Sequence, residues 1–284
     1  MKQALPGVGR GRQDGRRFMP TAQIGALFME ASQIAQVLAD AARDRKQLDP
    51  FTATGELDLA TAYDAQWLGV QARVEAGDPV IGYKLGLTSA AKQKTMNVDE
   101  PLYGQITASM MRPVGAPITV DEYIHPRIEP ELVFQLGADI EGPATIADVL
   151  SATEAVYLGV DVLDSRYADY KFTLADVAAD NASAGAHYLG PVGTHPQDLI
   201  DLALVGVVVR KEGKVVYTAA GAATMGHPAA AVAWLANKLA ERDQSLKAGQ
   251  LVYSGGLTDA VPVQAGSSYS VEADKLGVIE LAGL

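Results

Sequence analysis

The segment Arg127-Ile128-Glu129-Pro130-Glu131-Leu132-Val133-Phe134-Gln135-Leu136 sets two carboxylates two residues apart inside an apolar run. In a strand, alternate side chains share a face, so Ile128, Leu132, Phe134 and Leu136 point one way and Glu129, Glu131 and Gln135 the other. Two acids so placed repel each other unless something positive lies between them. Hard dications such as Mg²⁺ and Mn²⁺ prefer oxygen ligands and would serve. A solvated polar strand face is the competing interpretation. Asp161 weighs against it, because Val156-Tyr157-Leu158-Gly159-Val160-Asp161-Val162-Leu163 otherwise reads as a buried strand. An ionised carboxylate there needs a cation, whether a metal or a partner such as Arg127 or Arg166. Lys84 poses the mirror problem inside Gly82-Tyr83-Lys84-Leu85-Gly86. A buried lysine can pair with a carboxylate, bind an anion or exchange a proton, whereas a snorkelling lysine does none of these. Asp180-Asn181-Ala182-Ser183 and Ser254-Gly255-Gly256-Leu257-Thr258 are small polar turns of the kind that approach ligands closely.

These residues need a scaffold, and the periodicity supplies one. The i, i+3, i+4, i+7 spacing of Ile34, Val37, Leu38 and Ala41 predicts a helix over 28–46. A second helix is predicted over 59–76, capped by Asp58, with Tyr63, Trp67, Val70 and Val74 on one stripe and Gly77 as its stop. A strand at 80–86 leads into Thr88-Ser89, a cap for a helix carrying Lys92 and Lys94. From residue 116 the pattern turns to strands at 127–136 and 155–163, separated by a helix opened by Thr145 and Asp148. A hairpin over 203–210 and 214–219 follows, then a helix opening at Pro228 with Val232, Leu235 and Leu239 inward. Strands near 250–254, 268–273 and 277–282 close the chain. The fold class is α+β, a β-rich core with an N-terminal helical segment. Its expected division is a flexible leader at 1–25, a helical segment at 26–80 and a core at 81–284.

Composition narrows the function. The 284 residues are 48% hydrophobic and 20% charged, as in a globular protein. A net charge of −11 excludes a general nucleic-acid binder, which needs clustered Lys and Arg. With no cysteine there are no disulfides, thiolate nucleophiles or Cys-ligated metals, which fits a reducing cytoplasm. No run of 18 apolar residues predicts a transmembrane helix. Gly7-Val8-Gly9 lacks the rest of a dinucleotide fingerprint, and neither a Gly-x-Ser-x-Gly elbow nor a Walker loop occurs. His125, His187, His195 and His227 lack zinc spacing, and His125 and His227 each precede a proline, as turn or capping residues do.

Taken together, Gly82–Ser89, Pro126–Phe134, Val160–Arg166, Ala179–Ser183, Gly226–Trp234 and Ser254–Gly266 resemble the fumarylacetoacetate hydrolase superfamily, in its branch of 2-oxo-acid hydratases and decarboxylases. The similarity runs from about residue 30 to the C-terminus. It implies a roll-like β-rich core, a Mg²⁺ (or Mn²⁺) site at Glu129, Glu131 and Asp161, and an active-site lysine at Lys84. Many members carry Glu where Asp161 stands, so one ligand arm is shorter here. By the same resemblance Ser183, Ser254, Thr258 and Arg166 are expected to bind substrate. Hydratases of the branch carry Pro-Asp-Phe-Gly, whose Asp moves a proton; the matching stretch here is Pro101-Leu102-Tyr103-Gly104. Leu102 cannot do that, so the resemblance implies decarboxylation of a small 2-oxo dicarboxylic acid, with hydration of a dienoate as the alternative. A homo-oligomer and a complex with a homologous hydratase, in which this chain could also be an idle partner, are the associations it implies. Neither a membrane nor nucleic acid is an expected partner.

Overall fold

The structure is a computed structural model that describes residues 29–199 and 201–284; the expected leader at 1–25 lies outside them. The helical layer opens with α1 (Ala31–Asp44), where Glu30 and Gln33 form a capping box and Ile34, Leu38 and Ala41 face inward. Helix α2 (Leu59–Glu75) is capped by Asp58, whose carboxylate accepts from the Thr61 amide at 2.8 Å. Its buried stripe differs from the expected one. Ala62, Tyr63, Ala65, Gln66 and Val70 are buried, and Trp67 is 43% exposed. Small residues let α2 pack closely, and Gln66 is held inside by donating to the carbonyls of Tyr103 and Ala178.

The remaining helices are α3 (Ala90–Met96), α4 (Ile146–Ala152), α5 (Leu174–Ala179) and α6 (Pro228–Ala240). Local chemistry starts each of them. Ser89 caps α3, Thr145 and Asp148 form a capping box on α4, and Pro228 is the first residue of α6. Val232, Leu235 and Leu239 of α6 are buried, as the spacing predicts. Among the described residues no helix is long and apolar enough to cross a membrane.

Among the described residues, twelve strands form two sheets. They are β1 (Val80–Gly86), β2 (Leu102–Thr107), β3 (Met111–Arg112), β4 (Arg127–Leu136), β5 (Thr153–Leu163), β6 (Ala184–Leu189), β7 (Gly206–Lys211), β8 (Lys214–Ala220), β9 (Leu251–Tyr253), β10 (Val261–Pro262), β11 (Ser268–Ala273) and β12 (Gly277–Ala282). The larger sheet runs β2-β1-β9-β4-β5-β6-β3, and β10 pairs with β4; the smaller runs β12-β11-β7-β8. One apolar cluster joins α1, α2, α6 and both sheets, through Ile34, Leu132, Phe134, Leu158, Val209, Leu235 and Ile279. The α+β class and the β-rich core agree with the sequence pattern. Strands β2, β3, β6 and β10 are additions to it.

Two features of this sheet place the chemistry. Strands β4 and β5 pair antiparallel with Glu129 opposite Asp161 and Glu131 opposite Gly159, so the three acids share one face. On the other side of β4, the neighbouring chain pairs at Val133–Gln135 through β9 and at Arg127–Ile128 through β10. Between these contacts residues 254–260 bulge away opposite Glu129–Leu132. Pro130, which has no amide hydrogen, sits in that gap and loses no ladder bond. Its carbonyl still accepts from the Leu257 amide at 3.0 Å.

Strand β9 also pairs in parallel with β1, setting Lys84 beside Tyr253. That junction depends on Gly82, where an added Cβ would lie 2.0 Å from the Leu251 carbonyl oxygen. Gly82→Ala should therefore force β1 and β9 apart and lower the unfolding free energy by about 1–3 kcal/mol, as overpacking does. Urea denaturation checks this, and an unchanged midpoint would mean that the strands adjust freely.

Candidate active site

Lys84 points from β1 into the sheet's interior, where its ammonium lies 2.6 Å from Asp161 Oδ2. It also donates to the Ala182 carbonyl at 2.9 Å. Lys84 is 2% exposed and Asp161 is fully buried, so this is a dry ion pair and not a snorkelling lysine. Glu131 is fully buried as well. Its Oε2 accepts from the Gly255 amide at 2.7 Å, and its Oε1 has no partner. Glu129 stands nearer the surface, paired at 2.6 Å with Lys92 from the first turn of α3.

Burial pushes the Glu131 carboxyl well above the usual carboxylate range, and the neighbouring charge of Asp161 adds to it while Lys84 opposes it. Asp161 is raised by the same desolvation, tempered by Lys84. For Lys92, burial pulls the ammonium down but the charge of Glu129 outweighs it, so the net shift is upward. Three carboxyl groups thus share two lysines in a low-dielectric space, one more acid than the lysines can balance.

The fit to a metal follows from this donor set. Among the described residues, no three acidic or histidine side chains are gathered closely enough, as they stand, to hold a metal ion. The strand register nevertheless puts Glu129, Glu131 and Asp161 on one face. Glu131 Oε1 is a buried acceptor without a donor, and neither Asp161 oxygen makes an aligned hydrogen bond. All the unsatisfied carboxylate atoms are hard oxygens, so the residues present suit a hard divalent cation.

The bulge between β9 and β10 closes over these acids. Gly255 has φ +109, and a Cβ there would meet Thr88 Oγ1 at 2.1 Å; a Cβ on Gly256 would lie 2.0 Å from Glu129 Oε2. Only a glycine pair lets the backbone approach so closely. Below it is a cavity of about 90 Å³ lined by Lys84, Leu102, Glu129, Leu163, Phe172, Val177 and Ser183. A larger cavity of about 950 Å³ shares Leu87, Lys92, Tyr170 and Phe172 with it and adds Arg127, Gly256 and Thr258.

Leu102, Ser183 and Thr258 therefore line the two cavities, but two of the expected substrate-binding residues do not. Arg166 is buried against Asp180 and donates to the carbonyls of Asp164, Asp180 and Ala184, so its guanidinium holds loops together. It borders a separate groove beside α1 and α2. Ser254 donates to the Leu132 carbonyl at 2.8 Å and anchors the start of the bulge. The resemblance marked Arg166 as a substrate ligand, whereas the carbonyls of Asp164, Asp180 and Ala184 claim its donors first.

The sequence pattern also missed two members. Lys92 stands three residues after the Ser89 cap, and only the placement of α3 shows that it reaches Glu129. His187 is fully buried on β6, directly opposite Asp161. Burial and the Lys84 charge hold its ring well below the usual histidine range, hence neutral.

A family model described as fumarylacetoacetate (FAA) hydrolase C-terminal matches residues 74–281. The chain belongs to the fumarylacetoacetate hydrolase family. Within it, the chain is 44% identical over 218 residues to 4-oxalocrotonate decarboxylase of Pseudomonas sp. (strain CF600), covering 76% of this chain and 82% of that one. It is 34% identical over 252 residues to 2-keto-4-pentenoate hydratase of Paraburkholderia xenovorans (strain LB400), covering 88% and 93%. Its fold matches that of 4-oxalocrotonate decarboxylase from Pseudomonas putida G7, solved in complex with magnesium and adipate, with TM-score 0.87 and 36% identity over 89% of this chain and 97% of that one.

A buried carboxylate with an unpartnered oxygen destabilises the fold that holds it. In the presence of chelator, Glu131→Gln should raise the unfolding free energy by about 1–2 kcal/mol, the gain typical of relieving a functional site. Urea denaturation measures it; a loss of similar size would show that the carboxylate is already satisfied.

Proposed function

We propose that the protein decarboxylates 2-oxohex-3-enedioate (4-oxalocrotonate), giving 2-hydroxypenta-2,4-dienoate and CO₂. The observation that carries this reading is Leu102 in the inner cavity, on the same wall as Lys84 and among Leu163, Phe172 and Val177. The departing C6 carboxylate sits on C5, next to the C3=C4 double bond that is conjugated with the C2 ketone, so the substrate is a vinylogous β-keto acid. As its C–C bond breaks, the electron pair moves along the chain to the C2 oxygen, which then takes a proton. Such a reaction favours a dry apolar wall at the leaving end, because desolvation promotes loss of neutral CO₂. Leu102 and its apolar neighbours provide that wall.

At the other end the developing negative charge needs stabilising. The Lys84 ammonium is fixed by Asp161 and the Ala182 carbonyl, so it can hold charge or a proton at the C2 oxygen without reorganising. A divalent cation, Mg²⁺ or Mn²⁺, held by Glu129, Glu131 and Asp161 would supply Lewis-acid stabilisation of the same charge. Arg127 and Lys92 line the outer cavity and give a dianion a favourable approach on an otherwise acidic protein.

Hydration of the dienoate is the second reading, supported by the identity to the hydratase. It requires a proton delivered to carbon and a hydroxyl taken from water. Leu102 offers neither. The two reactions are chemically consecutive, so a homologous hydratase is the partner this reading suggests for the chain or its product.

With Mg²⁺ present, the purified protein should release CO₂ from 2-oxohex-3-enedioate and should not hydrate 2-hydroxypenta-2,4-dienoate at a comparable rate. Chelation should abolish the CO₂ signal and added Mg²⁺ restore it. Leu102→Asp should depress decarboxylation by placing a charge beside the departing carboxylate. Robust hydration without CO₂ release would overturn the assignment. In a separate test, Lys84→Met should lower kcat by about 10²–10³-fold, the loss of one charge-stabilising contact in the transition state. Near-wild-type turnover in a folded Lys84→Met protein would remove Lys84 from the chemistry.

A further inference from the structure

His187 is the one histidine among the described residues whose ring nitrogens are both buried and without hydrogen-bond partners. The other three are engaged: His125 with the Ser165 carbonyl, and His195 and His227 as caps accepting from the Gln197 and Ala229 amides. Strands β5 and β6 place His187 directly opposite Asp161. Its Nδ1 stands 3.3 Å from Asp161 Oδ1, while Lys84 stands 2.6 Å from Oδ2 on the other side of the same carboxylate. Packing alone does not require an imidazole here. The ring's aromatic neighbour is Tyr253, at 4.9 Å between centroids, a contact that a purely apolar ring would also make. A buried ring nitrogen without a partner is destabilising, and the nearest unsatisfied acceptor is Asp161 Oδ1.

We infer that His187 is a positioning residue for the cation site, donating Nδ1–H to Asp161 Oδ1 and fixing the plane of that carboxylate. The inference rests on Glu129, Glu131 and Asp161 being the divalent-cation site. A carboxylate ligand works only when its free oxygen is held in the right direction, and an outer hydrogen bond is the usual means of holding it. With Oδ1 anchored by His187, Oδ2 is the oxygen turned toward Lys84. Gly159 and Gly255 leave no side chain beside Glu131 to do the same for its neighbour, where a backbone amide does the work instead. Asp161 faces no such amide, so its orientation falls to a side chain.

The test reads cation binding without turnover. Mn²⁺ is titrated into wild type, Glu131→Gln, His187→Leu, His187→Phe and His187→Asn, with free Mn²⁺ followed by electron paramagnetic resonance. Wild type should bind one Mn²⁺ and Glu131→Gln should bind it far more weakly. His187→Leu and His187→Phe should weaken binding by about 10–100-fold, the effect typical of removing an outer-shell partner. His187→Asn, whose amide can reach the same acceptor, should recover most of the loss. Two apolar variants are included so that a folding failure of one leaves the other, and circular dichroism shows which are folded. Wild-type affinity in either folded apolar variant would overturn the inference while leaving the cation site intact. Loss in His187→Asn equal to that in His187→Leu would reduce the role to packing and overturn it too. Absence of Mn²⁺ binding in wild type would remove the site itself, and the inference with it.

Discussion

The dry contact between Lys84 and Asp161, with Glu131 alongside, is the interaction around which the molecule is arranged. Charges taken out of water are tolerated only with close opposite charge and well-aimed dipoles. Each surrounding element supplies part of that compensation. Strand β1 delivers the lysine, β5 the aspartate and β4 the two glutamates, while α3 brings Lys92 to the outer acid. These five groups include one more acid than base, and the acid left without a base is the one that a further cation would suit. An apolar redesign of the same positions would pack more stably and do nothing.

The interruption opposite Pro130 converts a sheet into a cavity. A continuous neighbour strand would fill the space beside Glu129 and Glu131 with side chains and saturate the backbone. Instead β9 and β10 contact β4 at its two ends, and the glycine pair crosses the gap with its amide aimed at Glu131. The proline and the glycines answer the same geometric need from opposite sides of the gap. The glycines have no useful replacement there, because a Cβ would meet Thr88 or Glu129.

Elements with local signals were legible in the sequence. The strand at 80–86, the Asp58 and Ser89 caps, the Thr145–Asp148 box and the Pro228 start all stand where the residue pattern puts them. Alternation along 127–136 correctly assigned Ile128, Leu132, Phe134 and Leu136 to the core. What stayed hidden depends on which elements become neighbours. Trp67 is large and apolar, yet the close approach of α2 to its surroundings favours Ala65 and Gln66 on the inner face. Arg166 sits just past a strand end, but the carbonyls of Asp180, at the end of α5, and Ala184, at the start of β6, occupy it. His187 has no motif at all, and its position opposite Asp161 exists only through the register of β5 on β6.

The order of strands in the large sheet has a consequence for how the protein comes into being. In the strand order of the described residues, β9 alone joins the hairpin of β1 and β2 to the meander of β4, β5 and β6, and its residues 251–253 are made after all of them. Until those residues leave the ribosome, Lys84 and the acids belong to two pieces that have no strand between them. Such long-range closure is slow and leaves sheet edges open to other chains meanwhile. The sheet around the molecule's most demanding charges is thus completed by a strand that follows, in the chain, all the residues it joins.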